Sequence, residues 1–186
     1  MKKIFAAALM AAMTLSAAAQ QPEGTFSIQP KVGMNVANVT DFKGSDARVG
    51  FVAGAEGMYQ FTELFGLSAG VLYSQQGCKY DKVTEKLDYI NIPIMANVYV
   101  VDGLAVKLGV QPGFNVNSSV RANGAEFDTD DAKSFDFSIP VGLSYEFSQV
   151  PIVIDARYNW GLTKVWDNTD CKNSVFQFTV GYKFTL

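Results

Sequence analysis

Histidine is absent from this chain of 186 residues. That one absence removes Ser-His-Asp triads, Cys-His nucleophile pairs and histidine metal sites together. Cysteine is scarce, with only Cys78 and Cys171. No apolar run of about 18 residues follows the first segment, so any membrane crossing by the rest of the chain is not helical. Lys and Arg form no cluster, which argues against nucleic acid as a partner and against basic docking on anionic lipid. The glycines lie within strand-like stretches rather than at strand-to-helix turns, so none reads as a phosphate loop. A carboxylate pair such as Glu56 and Asp155 has only its shared orientation in its favour. The expectation is a non-enzymatic protein with no metal and no cofactor.

The first residues carry a different message. Lys2 and Lys3 precede an apolar run from Ile4 to Leu15, and Ala17, Ala18 and Ala19 supply small residues for cleavage before Gln20. A positive end, a short apolar core and a small-residue site make a secretory leader. The run is too short to span ~30 Å of hydrocarbon. Residues 1–19 therefore read as a helical signal peptide and 20–186 as one exported domain. Without Lys2 and Lys3, the 15 basic residues fall to 13 against 18 acidic ones, a net charge of −5.

Aromatics are plentiful, with 14 Phe, 8 Tyr and 2 Trp, and they fall on a period of two. Leu104, Val106, Leu108, Val110, Phe114 and Val116 alternate with Lys107, Gly109, Gln111, Gly113 and Asn115. Phe135, Phe137, Ile139, Val141, Leu143, Tyr145 and Phe147 alternate with Asp136, Ser138, Gly142, Ser144 and Glu146. Six further segments behave the same way, starting near Phe26, Arg48, Gly66, Tyr89, Ile152 and Phe176. The segments run about 10 to 14 residues, where a soluble strand runs about 5 to 6 and a tilted transmembrane strand about 9 to 11. Their connections alternate between short (62–65, 101–103, 148–150) and long (38–47, 76–86, 117–134, 162–173). That rhythm belongs to barrels with short periplasmic turns and longer external loops.

The predicted fold is therefore all-β: a transmembrane eight-stranded antiparallel up-and-down β-barrel in the outer membrane, with both termini on the periplasmic side. A soluble lipocalin-like barrel competes, but its solvated face would be rich in Lys and Glu. Here the polar face is mostly Gly, Ser, Asn and Gln, which suits a narrow interior, and the bulky face suits lipid.

Two aromatic belts are expected at the lipid boundaries. Phe65, Tyr99, Tyr145, Phe147, Tyr182 and Phe184 form the one near the short turns. Tyr73, Phe114, Phe135, Trp160 and Phe176 form the other. Pro30, Pro93, Pro112 and Pro140 interrupt strand patterns. In a barrel without edges they predict bulges or weakened pairing across the fourth to sixth strands.

The charges on the inward face are Arg48, Glu56, Lys107, Asp136, Glu146, Asp155, Arg157 and Lys183. An eight-stranded interior is just wide enough for side chains to fill, so these read first as a salt-bridged structural plug centred on Asp155 and Arg157. A conduction path is the competing reading. Cys78 and Cys171 are a candidate disulfide in external loops, on strands that do not adjoin. The bond needs Cα atoms within about 7 Å, hence loops folded over the mouth, and bonded and free thiols both stay open. Asp128, Asp130 and Asp131 gather in the longest loop without calcium-loop spacing.

Several stretches bear a family likeness: Lys31-Val-Gly-Met-Asn-Val-Ala, Leu72-Tyr-Ser-Gln-Gln-Gly, Tyr89-Ile-Asn-Ile-Pro93, Ala156-Arg-Tyr-Asn-Trp-Gly-Leu162 and Val180-Gly-Tyr-Lys-Phe184. Together they make the exported part resemble the small outer-membrane β-barrel domain of Bacteroidota often termed PorT-like. Asn91 departs from the acidic residue associated with the family's fourth strand, and the chain ends on Leu186 instead of an aromatic. The resemblance implies an outer-membrane location and no uniform activity. Outer-membrane lipid is the expected surrounding and a monomer the expected state. An envelope protein could be met through the external loops. The alternative is a component of an envelope transport or protein-secretion complex.

Overall fold

In a computed structural model, residues 23–40, 44–81, 83–122, 125–129, 132–166 and 170–186 are described. The leader, Asp130 and Asp131 lie outside them. The elements are β1 (Phe26–Val39), β2 (Ser45–Gln60), β3 (Phe65–Tyr80), β4 (Val83–Asn91), β5 (Ile94–Val101), β6 (Leu104–Ala122), β7 (Ala125–Asp128), β8 (Phe135–Glu146), β9 (Ile152–Lys164), β10 (Lys172–Tyr182) and β11 (Phe184–Thr185).

Each wall strand is antiparallel to its chain neighbour, and β1 pairs with β10 to close the sheet. β4 and β5 pair with β3 in one continuous register, keep one register with β6 across the gap between them, and together form the fourth wall strand. β10 and β11 likewise form the eighth, both against β1. β7 is an annex pairing with β6. The wall therefore has eight strands, as the alternation predicted.

The alternation also assigns the faces. Val49, Phe51, Val71, Leu108, Val141 and Phe178 point outward and are exposed. Their partners by parity (Gly50, Leu72, Lys107, Gly142 and Gln177) point inward. Bulky groups outside satisfy lipid, and polar groups inside keep one another's company. At the short-turn end, rings meet along the rim: Tyr59 and Phe61 edge to face at 4.8 Å, Tyr145 and Phe147 edge to face at 4.9 Å, and Tyr182 and Phe184 tilted at 4.6 Å. At the far end Phe114 meets Phe135 at 5.6 Å and Tyr158 meets Phe176 at 4.7 Å.

Tyr99 does not join this belt. It shares the parity of Met95 and Asn97, opposite to Val98, and turns inward, where its hydroxyl lies 3.6 Å from the Met58 sulfur beside buried Ala105. Two of the expected long loops are also strands. β3 and β4 continue to a tight turn at Asp81 (φ 50°), and β6 and β7 make a hairpin above the wall. Alternation weakens there because that sheet no longer separates lipid from lumen. The short turn at Asp102 and Gly103 matches an Asp-Gly hairpin, and Gly103 has φ 72°.

The prolines mark the breaks. Pro93 lies in the gap between β4 and β5, beside Ile92, whose N–H donates to the Pro112 carbonyl at 2.8 Å. Pro112 has no N–H to return, so that pair keeps one bond. The β6–β8 ladder runs from Leu108↔Val141 to Gln111↔Ser138 without pairing Pro140. Pro30 lies at the level where β10 gives way to β11. The amide of Gly109, which faces Pro140 across that interrupted ladder, should therefore exchange with deuterium faster than that of Lys107, which is paired with Gly142. Equal protection measured by NMR in bilayer discs would contradict weakened pairing.

Candidate functional site: the lumen and its mouth

Closure of eight strands forces inward side chains from opposite walls to meet. Lys31 on β1 lies 2.8 Å from Glu56 on β2. Lys107 on β6 lies 2.7 Å from Asp155 on β9 and 3.6 Å from Glu56. Arg157 on β9 bridges both carboxylates, at 2.9 Å to Glu56 and 2.8 Å to Asp155. Lys31 also approaches Asp155 at 3.9 Å. Three cations and two carboxylates thus form one cross-barrel network, with side chains no more than 4% exposed. Ion pairs so far from water persist only when each charge has close, hydrogen-bonded partners.

Glycine makes the room. Gly70 stands opposite Glu56, and Gly142 lies between Lys107 and Arg157 in register. A Cβ at Gly70 would fall 2.5 Å from the Glu56 Cγ, and one at Gly142 would fall 2.7 Å from the Arg157 Cβ. The long charged chains lie over their neighbours because those neighbours have no side chain.

The eight inward charges proposed from sequence are thus divided. Glu56, Lys107, Asp155 and Arg157 share the central network. Glu146 and Lys183 pair at 2.7 Å near the short turns. Arg48 and Asp136 lie toward the other end and do not touch the network: Arg48 donates to the Gln76 carbonyl, and Thr163 donates to Asp136 at 2.8 Å. Sequence reasoning missed Lys31 as a member. Its alternation already placed it inward, but its partner lies 25 residues away on the next strand. Above the network a layer of neutral amides and hydroxyls follows, with Asn35 donating to Ser74 at 2.9 Å and Gln111 to Ser138 at 3.3 Å.

The external mouth is closed by different chemistry. Val39, Cys78, Leu87, Tyr89, Val165 and Cys171 form a buried apolar cluster, covered by Ala132 and Trp166. The covering segments are stitched together. Trp166 Nε1 donates to Glu85 at 3.1 Å, the Lys133 N–H to the Val165 carbonyl at 2.8 Å, and the Val165 N–H to the Cys171 carbonyl at 2.8 Å. Cys78 belongs to the end of β3, not to a loop, and Cys171 immediately precedes β10. Both are buried, and in this structure they stand as thiols.

Outside this cap the β6–β7 hairpin carries charge. Lys86 holds both Glu126 oxygens at 2.7 and 2.6 Å, and Ser119 adds a bond at 2.9 Å. The hydrogen bond from Lys86, then that from Ser119, keep the Glu126 carboxyl below its ordinary value. Phe127 stays exposed beside it. No group of acidic or thiol side chains among the described residues could hold a metal ion.

A family model described as an outer membrane protein β-barrel domain matches residues 18–167. No curated protein matches the chain. The solved structure of Ail, the attachment invasion locus protein of Yersinia pestis, is 18% identical with a TM-score of 0.55, covering 88% of this chain and 100% of that one. Neisserial surface protein A is 16% identical with a TM-score of 0.57, covering 87% of this chain and 100% of its own. At such identities the likeness is one of fold. A closed, inside-out wall of eight strands and a family match over most of its length lead to one conclusion: this chain belongs to the outer membrane protein β-barrel domain family and resides in the outer membrane.

Proposed function

We propose that the chain is a scaffold: a non-enzymatic barrel, plugged by its own side chains, that presents its external hairpins to a partner. The network of Lys31, Glu56, Lys107, Asp155 and Arg157 carries this reading, because it joins β1, β2, β6 and β9 across the lumen. Rigid walls that hold irregular or extended segments outside the membrane usually place function on those segments. The external surface offers exposed Phe127, the charged group of Lys86, Arg121 and Glu126, and a polar cleft of about 430 Å³ between Asn117, Ser118, Asp128 and Thr129. One structural relative is by name an attachment protein, which agrees with an outward-facing role. The PorT-like resemblance belongs to the same proposal, as do cleavage of the leader at residue 19 and a monomeric barrel.

In a planar lipid bilayer the purified barrel is expected to give no stable conductance. Large, steady openings would overturn the plug. Glu56→Gln leaves three buried cations against one carboxylate. Breaking a buried pair in this way costs about 3–5 kcal/mol, read as a lower urea midpoint in vesicles. Adding Lys31→Met should recover part of that loss, because the two residues are in contact. Strict additivity would mean that they do not act as a pair.

Crosslinking in intact cells tests the external face. Substituting Phe127→Ser and Arg121→Ser should reduce capture of a surface partner while leaving the folded barrel intact. Stoichiometric envelope proteins captured through the periplasmic turns would favour the transport or secretion reading instead.

A further inference from the structure

The two thiols of the mouth have a shared environment that neither the plug nor the external hairpins use. Cys78 is 3% exposed and Cys171 2%, and they belong to one apolar cluster. They arrive there from opposite parts of the chain. Cys78 ends β3, paired with Glu85 of β4. Cys171 ends the connection that leaves β9. That connection crosses toward β4 through Trp166 and Glu85, and it is pinned to the end of β1 by the Thr40 N–H and the Lys172 carbonyl at 2.9 Å. The folding of these segments over the mouth supplies the approach that the order of strands alone denies, since β1 and β2 stand between β3 and β10.

We propose that Cys78 and Cys171 form an intramolecular disulfide that locks the apolar cap over the external mouth. A chain bound for the outer membrane crosses the periplasm, where thiols are oxidised by exchange with protein disulfides. The co-reactant is therefore the disulfide of a periplasmic thiol oxidoreductase. One chain thiolate attacks it to give a mixed disulfide. The second thiolate displaces the oxidoreductase, which leaves as a dithiol. One S–S bond forms in the chain, one is reduced in the oxidant, and each cysteine gives up its hydrogen. The reaction belongs to the incompletely folded chain, because burial shields both sulfurs once the cap has closed. The bond joins residues 93 positions apart (171 less 78) and ties β3 to the start of β10.

The test uses the full barrel purified from outer membranes without reductant. It is unfolded in denaturant containing iodoacetamide and weighed by mass spectrometry. The expected result is no alkylation and a mass two hydrogens below the dithiol, with one cysteine-linked peptide pair joining Cys78 to Cys171. Two alkylated cysteines, or a bond joining two copies of the chain, would overturn the proposal. A second measurement separates a lock from an idle bond. Wild type unfolded and refolded in reductant should melt several degrees below the barrel refolded without it and be cut faster between residues 165 and 171, while the Cys78→Ser, Cys171→Ser double variant shows neither response to reductant. An unchanged melting temperature on full reduction would remove the locking role.

Discussion

Hydrocarbon offers no partner to a backbone N–H or carbonyl, and that constraint governs everything else in this barrel. An eight-stranded sheet left open would expose two unpaired edges. Nine register pairs between β1 and β10, from Lys31↔Gly181 to Val39↔Asn173, remove them. Once the sheet is closed at eight strands, its width is set, and the interior is only as wide as side chains can fill. Chains from opposing walls then have to touch. The contact between Glu56 of β2 and Arg157 of β9, 101 residues apart, follows from closure rather than from local structure.

Closure also explains why charged groups can occupy the middle of a membrane protein. A single lysine at that depth would be costly, but Lys31 and Lys107 each meet a carboxylate at under 3 Å, and Arg157 spans both acids. The glycines opposite are part of the same solution. With Gly70 and Gly142 as cross-strand neighbours, Glu56 and Arg157 can lie across the wall toward each other, where a larger neighbour would push them apart. Polar residues that look like mere filler in the sequence thus fall into two kinds: those that bind, and those whose smallness lets the others bind.

That division marks how far the sequence could be read. The faces of the strands were legible because lipid and lumen demand opposite chemistry at alternate positions, and the alternation of short and long connections gave the strand count. The members of the central network were half legible. Parity placed Glu56, Lys107, Asp155 and Arg157 inside, yet stagger between strands decides which inward residues share a level, and stagger leaves no mark in a single strand. Lys31 was overlooked for that reason, and Arg48 and Asp136 were grouped with charges they do not touch. Beyond the apolar belt the signal failed altogether. There the alternation no longer separates two solvents, so the extensions of β3, β4 and β6 read as loops and the apolar cap was invisible. Tyr99 shows a milder failure. Its ring invites a place in the rim belt, but the parity of its strand carries it inside.

The lumen is thus bounded at two levels by opposite physics. The central network depends on paired charge, so loss of one partner weakens it at once and its remaining charges repel. The cap of Val39, Cys78, Leu87, Tyr89, Val165 and Cys171 depends on excluding water from apolar surface, a force that is indifferent to charge but sensitive to any opening. Neither closure substitutes for the other. A solute small enough to slip past a loosened cap still meets Arg157 and its carboxylates, and a path through the network still ends beneath Trp166. If the lumen is plugged as proposed, two barriers in series make a poor channel and a stiff support. The stiffness reaches the outside surface, because the segments that build the cap are continuous with those carrying Lys86, Phe127 and Asp170 into solvent. A surface partner of the kind proposed would meet elements anchored in the wall of the barrel.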